Sequence, residues 1–227
     1  MPNASRERQR DEHRDNVDAA AKRRGIGRTV RGRRTYDALL NAARVVFVRE
    51  GFLHTRITDI CDEAGLSHGT FYNYFTAKEE IFQDVLDSVE LDLLTLDGAP
   101  EDANAIDRIR AANRHYLEAV RDNAGIIGVI QEVVTFDPEA RATRARREDE
   151  FADALERRVR QYQADGIADG RLDPRIAGLA LGGMVDAFAN YLYVNGGGEQ
   201  FDLDVVAEQL TLLWVNALGI PTGEPSS

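Results

Sequence analysis

Residues 56–80, RITDICDEAGLSHGTFYNYFTAKEE, contain two short helical patterns separated by a tight turn, and this stretch constrains the fold more than any other. Thr55 stands at an N-cap position, directly before a short run of apolar residues with helical spacing. Gly65 provides a sharp stop, because glycine adopts a left-handed backbone conformation without strain. Ser67 is the expected cap of the helix that follows. The sequence therefore predicts a helix, a glycine-containing turn and a second helix.

One helix before this stretch and one after it complete the predicted local unit. Residues 35–50 have apolar side chains at helical spacing, and Gly51 ends that helix. Thr76 and Glu79 have the spacing of a capping box, which predicts the start of a helix over 77–96. The expected core of the unit is Leu40, Phe47, Ile57, Ile60, Ala64, Leu66, Phe71 and Phe75. This arrangement is the helix-turn-helix pattern, in which the second helix of the motif enters a DNA major groove.

Many positions of this region agree in order and spacing with a known signature. They are Gly51-Phe52, Thr55, Asp59-Ile60, Ala64-Gly65-Leu66-Ser67, Gly69-Thr70, Tyr72, Tyr74-Phe75 and Lys78-Glu79. At these positions, residues 35–82 resemble the TetR-type transcriptional regulators. Cys61 replaces a usual alanine and Arg56 a common threonine or serine, and neither change threatens the fold. The resemblance implies an all-α protein with an N-terminal three-helix DNA-binding domain and a C-terminal helical domain that binds a ligand and dimerises.

The charge of the chain is unevenly distributed. The 227 residues carry a net charge of −11, which by itself argues against a nucleic-acid partner. Residues 22–34, KRRGIGRTVRGRR, nevertheless hold seven basic side chains and no acid, so the remainder carries −18. The glycines in this segment predict a flexible arm that contacts phosphates or the minor groove, and the alternatives are a solvated tail or residues upstream of a misassigned start. Residues 1–21 have few large apolar side chains and are expected to be disordered.

The second helix of the motif is expected to present one face to the core and another to DNA. Phe71 and Phe75 are four residues apart and face inward, which turns His68 and Asn73 outward toward base edges. Lys78 lies in the first turn of the next helix, where a cation opposes the helix dipole, and a neighbouring phosphate would explain it. The expected DNA contacts are Arg28, Arg31, Arg33, Arg34, Thr55, Arg56, Ser67, His68, Gly69, Thr70, Tyr72, Asn73, Tyr74 and Lys78. Packing within the unit is the alternative for the tyrosines, and a plain exposed histidine is the alternative for His68.

The rest of the chain is a series of helical patterns, which predicts a second all-helical domain. The expected helices cover 105–122, about 138–168, 174–194 and 203–218, with a loop at 97–104 and a short apolar segment at 124–136. The predicted domains are a disordered basic arm at 1–34, a helix-turn-helix domain at 35–80, an effector-binding and dimerisation domain at 81–220 and a disordered tail at 221–227.

The predicted helix at 174–194 is apolar on nearly its whole circumference. One side carries Ile176, Ala180, Met184, Ala187, Phe188 and Tyr191, and the other carries Gly178, Leu181, Gly182, Val185, Ala189 and Leu192. Such a helix is buried all round, and in a chain of this size a second subunit most easily covers its second face. With the apolar stripe of 203–218 it predicts a four-helix homodimer interface, in which Leu192 and Leu210 are expected to lie.

The resemblance also implies a small-molecule effector, partly apolar, whose binding changes the spacing of the two DNA-reading helices and releases a palindromic operator. Candidate ligand contacts are the aromatic and polar residues expected on inward faces, which are Asn113, Tyr116, Phe136, Tyr162, Met184, Asp186, Phe188 and Tyr191. Ordinary core packing is the alternative for each of them. Asp186 is also a candidate for a polar contact that ties the dimer together.

Other functional classes have little support in the sequence. There is no Gly-rich phosphate loop, metal-ligand cluster or plausible Cys–His pair, so no enzyme activity, metal or cofactor is expected. No apolar run approaches the ~18 residues that a membrane helix needs, and no secretory signal is visible. A cytoplasmic protein without a membrane partner is therefore expected, with Cys61 as a small buried hydrophobe. The remaining alternative is a DNA-binding regulator or architectural protein without an effector.

Overall fold

Helix is the only regular secondary structure in the residues that the computed structural model describes, which are 29–94, 100, 102–197 and 201–221. The helices are α1 Val30–Glu50, α2 Ile57–Ala64, α3 His68–Tyr72, α4 Lys78–Leu93, α5 Ala105–Val133, α6 Pro138–Ala164, α7 Pro174–Ala189 and α8 Leu203–Leu218. The predicted all-α fold is confirmed. The predictions for residues 1–28, including Arg28, for much of the 97–104 loop and for 222–227 lie outside the described residues.

The chain divides into two compact units. Unit 1 contains the described residues up to Asp92 together with Gly125–Arg144, and unit 2 contains Leu93–Ala124 and the described residues from Ala145 onward. Unit 1 therefore includes α1 to α3 and most of α4, whereas unit 2 includes α7, α8 and most of α5 and α6.

α1 begins at Val30, five residues before its predicted start. The Thr29 hydroxyl accepts a hydrogen bond of 3.1 Å from the Gly32 amide, which satisfies one of the free donors at the helix N-terminus. Residues 30–34 are thus helical, and the prediction that they belong to a flexible arm is wrong. Arg31, Arg33 and Arg34 occupy the first turns of α1 and are exposed.

Two helix caps differ from the predicted ones. α2 has Arg56 at its N-cap, and the Arg56 amide donates to the Asp59 carboxylate at 3.0 Å. Thr55 lies one residue earlier, with its hydroxyl donating to the Gly51 carbonyl at 2.8 Å. Before α4, the Thr76 amide donates to Glu80 at 2.6 Å, so the carboxylate that serves this turn belongs to Glu80 rather than to Glu79.

The turn between α2 and α3 agrees with the prediction. Gly65 has a φ of 64° in the left-handed region and its amide donates to the α2 carbonyls of Asp62 and Cys61. Ser67 is the N-cap of α3, and its hydroxyl accepts from the Thr70 amide at 3.2 Å. These two local signals fix the angle at which α3 leaves α2.

α5 is one helix of 29 residues, although the sequence predicted two shorter elements there. Asn123 lies inside this helix, and its side-chain amide donates to the Ala119 carbonyl of the same helix at 2.8 Å. Gly125 serves packing, since a Cβ at this position would lie 3.0 Å from Cγ1 of Val48 on α1. The glycine therefore allows close approach of the two helices within unit 1.

α6 and α7 pack closely within unit 2. Added Cβ atoms at Gly178 and Gly182 of α7 would lie 3.0 Å and 2.6 Å from side-chain atoms of Leu155 on α6. α7 begins after Asp173, whose carboxylate accepts from the Ile176 amide at 2.9 Å, and it continues into a π-helical turn at Asn190–Val194. None of the described helices is long and apolar enough to cross a membrane.

Candidate functional site

An aromatic cluster in unit 1 holds α3 in place. Phe71 and Phe75 are buried, with ring centroids 5.6 Å apart, and Phe75 stacks on the buried ring of Tyr36 from α1 at 5.6 Å. Leu40, Phe47 and Ile60 are also buried, as predicted, whereas Ile57, Ala64 and Leu66 are only half-buried. The inward face of α3 is therefore anchored, which determines the side chains that face outward.

The outward side of α3 carries the predicted base-reading residues. His68, Gly69 and Asn73 are exposed, and Tyr72 is 55% exposed. A neutral histidine ring and an asparagine amide each combine a donor with an acceptor, which suits the edges of bases in the major groove. Arg56 is exposed at the start of α2.

Other predicted contact residues of the motif have partners inside unit 1. Thr55 is only 3% exposed, so the prediction that its side chain contacts DNA is wrong. Ser67 and Thr70 share a hydrogen bond of 2.9 Å between their hydroxyls. Tyr74 is half-buried, and its ring lies 6.5 Å from that of Tyr36, which agrees with the packing alternative for this tyrosine.

Lys78 is held by main-chain carbonyls. Its ammonium donates to the carbonyls of Phe52, Leu53 and Thr55 at 2.9, 3.2 and 3.2 Å, and it lies 4.8 Å from the centroid of the Phe52 ring. Three carbonyls match the three donors of an ammonium. The cation at the start of α4 therefore stabilises the loop between α1 and α2, and a phosphate is not needed to explain it.

Unit 2 contains a partly open cavity of about 50 Å³. This volume is several times the roughly 10–15 Å³ that one water molecule requires. The cavity is lined by Leu93, Arg108, Ile109, Ala112, Asn113, Tyr116, Phe151, Leu155, Arg158, Tyr162, Gly182, Val185 and Trp214. Most of this lining is apolar, which is the usual composition of a small-molecule site.

Three residues form a polar corner of the cavity wall. Arg158 donates a hydrogen bond to the Tyr162 hydroxyl, and Arg108 acts electrostatically on the same group. Burial raises the pKa of the Tyr162 phenol, and the two arginines oppose that rise. Arg108 of α5 and Arg158 of α6 therefore line the same cavity as the phenol on which their charges act.

Asn113 and Trp214 are the other lining residues with polar groups deep in the unit. The Asn113 amide donates to the Thr211 hydroxyl at 3.3 Å, and that hydroxyl donates to the Ala207 carbonyl at 2.7 Å. Trp214 is 6% exposed, and its indole N–H finds no acceptor among the residues that the structure describes. The cavity wall thus includes a buried donor whose hydrogen-bonding capacity is unused.

The predicted ligand contacts separate into two groups. Asn113, Tyr116 and Tyr162 line the cavity. The other five, Phe136, Met184, Asp186, Phe188 and Tyr191, are not among the lining residues. Phe136 is 44% exposed and lies beside Phe52 in unit 1, and Tyr191 is 48% exposed. Asp186 accepts from the Tyr116 hydroxyl at 2.7 Å, so it supports a lining residue from behind.

The sequence reasoning missed both arginines and Trp214. Phe151, Leu155, Arg158 and Tyr162 follow the spacing of a single face of α6, and this periodicity was the available signal. The pattern alone does not reveal where a long charged side chain on that face ends.

α7 and α8 each have buried and exposed apolar residues. The two residues predicted to lie in the subunit interface, Leu192 and Leu210, are not among the exposed ones. On α7, Val185 and Ala189 are buried, whereas Ile176 and Leu179 are exposed. On α8, Val205, Leu212 and Leu213 are exposed. Leu192 and Leu210 are 3% and 4% exposed within the single chain, so placing them in a subunit interface was wrong.

The described residues contain no group of three or more His, Cys, Asp or Glu side chains that could hold a metal ion. Cys61 is buried, as predicted, and burial followed by the charge of Asp62 raises the pKa of its thiol.

Comparisons with known proteins agree with the geometry. Residues 39–85 match the model of bacterial regulatory proteins of the tetR family, and residues 102–215 match the tetracyclin repressor-like C-terminal domain. The chain is 30% identical over 141 residues to the HTH-type transcriptional regulator YfiR of Bacillus subtilis, covering 60% of this chain and 67% of that one. It is 29% identical over 144 residues to the HTH-type transcriptional regulator TcmR of Streptomyces glaucescens, covering 60% of this chain and 64% of the relative.

Solved structures share the fold. The TetR family transcriptional regulator PfmR of Thermus thermophilus superposes with a TM-score of 0.63 at 20% identity, over 78% of this chain and 97% of PfmR. GusR of Salmonella enterica superposes with a TM-score of 0.66 at 19% identity, over 82% and 95% of the respective chains. Because one family model covers the DNA-binding motif and a second, at 102–215, covers half of the whole chain, this protein belongs to the TetR family of bacterial transcriptional regulators.

Proposed function

We propose that the protein is a homodimeric repressor that binds a palindromic operator through α3 and leaves it when a small molecule occupies the cavity of unit 2. The family binds DNA operators, usually as homodimers, and its members are transcriptional regulators rather than enzymes. The DNA-contacting residues, the subunit interface and the effector site of this chain go beyond these family properties.

The observation that carries the proposal is the construction of α3. Its inward side is anchored by buried Phe71 and Phe75, its start is capped by Ser67, and its exposed side offers His68 and Asn73. A rigid helix with hydrogen-bonding side chains on one exposed side suits the major groove. Arg56 and the three arginines of α1, Arg31, Arg33 and Arg34, are exposed cations suited to phosphates.

A two-fold dimer through α7 and α8 would require an operator with matching two-fold symmetry. These helices contact each other and carry Leu179 and Leu213 on exposed surface. A second copy of the chain that covers this surface would form an isologous four-helix interface. Two α3 helices related by this axis need a separation of roughly 34–36 Å, or a multiple of it, to reach successive major grooves on one DNA face.

The cavity offers a route from effector to DNA. Leu93, the last residue of α4, lines the cavity, and α4 begins at Lys78, which holds the loop between α1 and α2. A ligand that displaces Leu93 would tilt α4 and change the distance between the two α3 helices of a dimer. Release then follows from the loss of register with the DNA.

Selection of binding sites from a random duplex library tests the proposal. We expect an inverted repeat whose half-sites are one or more helical turns apart, bound by a dimer in sedimentation. Sequence-tolerant binding without a repeat would support the architectural alternative and contradict the proposed repressor. A monomer bound to a single half-site would contradict the assigned interface alone.

A further inference from the structure

We infer that the cavity of unit 2 binds organic acids, with the carboxylate held between Arg108 and Arg158 and an apolar body against the remaining lining. The acid is the effector only if the protein is the ligand-responsive repressor proposed above, so this inference rests on the proposed function and names the chemical class of its effector. Arg108 and Arg158, which would determine the specificity of the site, are not among the ligand contacts expected from the sequence.

Charge in the cavity wall has one sign. Arg108 and Arg158 are the charged residues among the described lining residues, and no carboxylate lines the cavity with them. The other lining side chains are neutral, and most are aliphatic or aromatic. A wall of this kind attracts an anion and disfavours a cation, and the low polarity around it strengthens both effects.

The two guanidinium groups belong to residues of one cavity wall. Arg158 hydrogen-bonds to the Tyr162 hydroxyl, and the charges of Arg158 and of Arg108, on α5, both act on that phenol. Arg108 also donates through Nε to the Ala103 carbonyl at 2.9 Å, which fixes the direction of its side chain. A guanidinium carries five N–H donors, so each arginine can keep a protein partner and bind a carboxylate at the same time.

Trp214 gives a second, independent indication of a ligand. The residue is 6% exposed and lines the cavity, and its indole N–H has no acceptor among the described residues. A buried donor without a partner is costly, and a ligand oxygen in the cavity would remove that cost. An acid supplies such an oxygen, whereas a hydrocarbon or an amine does not.

The apolar part of the lining determines the rest of the ligand. Tyr116 and Phe151 have rings that stack at 6.3 Å between centroids, and Ile109, Leu155 and Val185 complete an aliphatic surface. A free inorganic anion would leave this surface unoccupied. The expected ligand is therefore an alkyl or aryl carboxylic acid, and inorganic phosphate is not expected to bind.

Fluorescence provides a direct measurement, because Trp214 is the only tryptophan in the chain. Full-length protein without DNA is titrated with butanoate, hexanoate, octanoate and 3-phenylpropanoate, and with the neutral amide and the ammonium analogue of each. We expect saturable changes for at least one acid, binding about ten-fold or more tighter than its amide, and no binding of the ammonium. Equal or weaker binding of every acid compared with its amide, absence of binding included, would overturn the inference.

Variants separate the arginines from general effects on the unit. Arg108→Gln and Arg158→Gln should remove the preference for acid over amide, and Arg158→Lys should retain part of it. Arg157→Gln, an exposed neighbour on α6, is the matched control and should behave like wild type. Thermal unfolding with and without the acid provides a readout for Trp214→Phe, which should show a smaller stabilisation by the acid. A preference for acid that persists in both glutamine variants would contradict the assignment.

The two proposals fail in different ways. Acids that bind tightly without releasing operator DNA would leave the site assignment intact and contradict the effector role. A protein that binds no operator at all would contradict the proposed function and leave the fluorescence result unaffected.

Discussion

The Tyr36 hydroxyl donates a hydrogen bond of 2.6 Å to Oδ2 of Asp84, which connects α1 with α4 inside unit 1. Tyr36 is fully buried and Asp84 is 3% exposed. A buried carboxylate is tolerated only when donors compensate its lost hydration. The bond therefore fixes α4 against the helix that also supports α3 through Phe75, and it gives the DNA-reading motif a defined position relative to α4.

Removal of this hydroxyl should destabilise unit 1. We expect Tyr36→Phe to lower the free energy of unfolding by about 1–3 kcal/mol, because a buried acceptor loses its donor while the ring still packs. Urea denaturation followed by circular dichroism measures the change. Tyr72→Phe makes the same chemical change at an exposed ring and should leave stability within about 0.5 kcal/mol of wild type. An equal effect at both positions would mean that the buried bond contributes nothing specific.

Lys78 should act mainly on stability. Lys78→Met keeps a long apolar stem but leaves the carbonyls of Phe52, Leu53 and Thr55 without this donor, and we expect a loss of about 1–3 kcal/mol. The salt dependence of operator binding should keep its slope, because these contacts occupy the ammonium within the protein. Unchanged stability combined with a shallower salt slope would instead assign Lys78 to a phosphate.

The base-reading residues should determine sequence preference. His68→Ala and Asn73→Ala are each expected to cost about 1–3 kcal/mol on the selected operator and less on scrambled duplex. Competition binding against scrambled DNA gives both values. Glu79→Ala, at an exposed position of α4, is the control and should preserve the discrimination. If both alanine variants discriminate like wild type, the exposed side of α3 does not read bases.

The subunit interface should respond to charges on the exposed apolar surface. Leu179→Arg and Leu213→Glu are expected to produce folded monomers with greatly weakened operator binding, because each places a charge where the partner would bury it. Sedimentation at micromolar concentration distinguishes monomer from dimer. Leu192→Arg, at a position buried within one chain, should instead reduce folding itself. A dimer that persists in both surface variants would remove α7 and α8 from the interface.

Cys61 should react slowly with thiol reagents in the folded protein. Burial raises the pKa of its thiol, so the reactive thiolate is scarce at neutral pH, and the residue is only 1% exposed. Alkylation by iodoacetamide, followed by mass spectrometry, should accelerate strongly in urea. Fast alkylation without denaturant would show that α2 opens readily.

Local signals in the sequence were sufficient for the centre of the DNA-binding unit. Gly65 and Ser67 determine the turn before α3 through backbone conformation and capping, which depend on a few neighbouring residues. The spacing of Phe71 and Phe75 determines the inward side of α3 in the same way. The family resemblance implies the effector-binding role, whereas the apolar patterns of 174–194 and 203–218 also predict the dimer interface.

Tertiary contacts decided the features that the sequence alone did not determine. Lys78 is explained by carbonyls more than 20 residues away in the chain, and Gly125 lies within α5, where it packs against Val48. Leu192 and Leu210 are apolar like their exposed neighbours, and only the packing of unit 2 shows that they are buried within one chain. Arg108 and Arg158 lie on different helices and line the same cavity only in the folded protein. Periodicity assigns a side chain to a face of its own helix, but the distance between residues on different helices depends on how those helices pack.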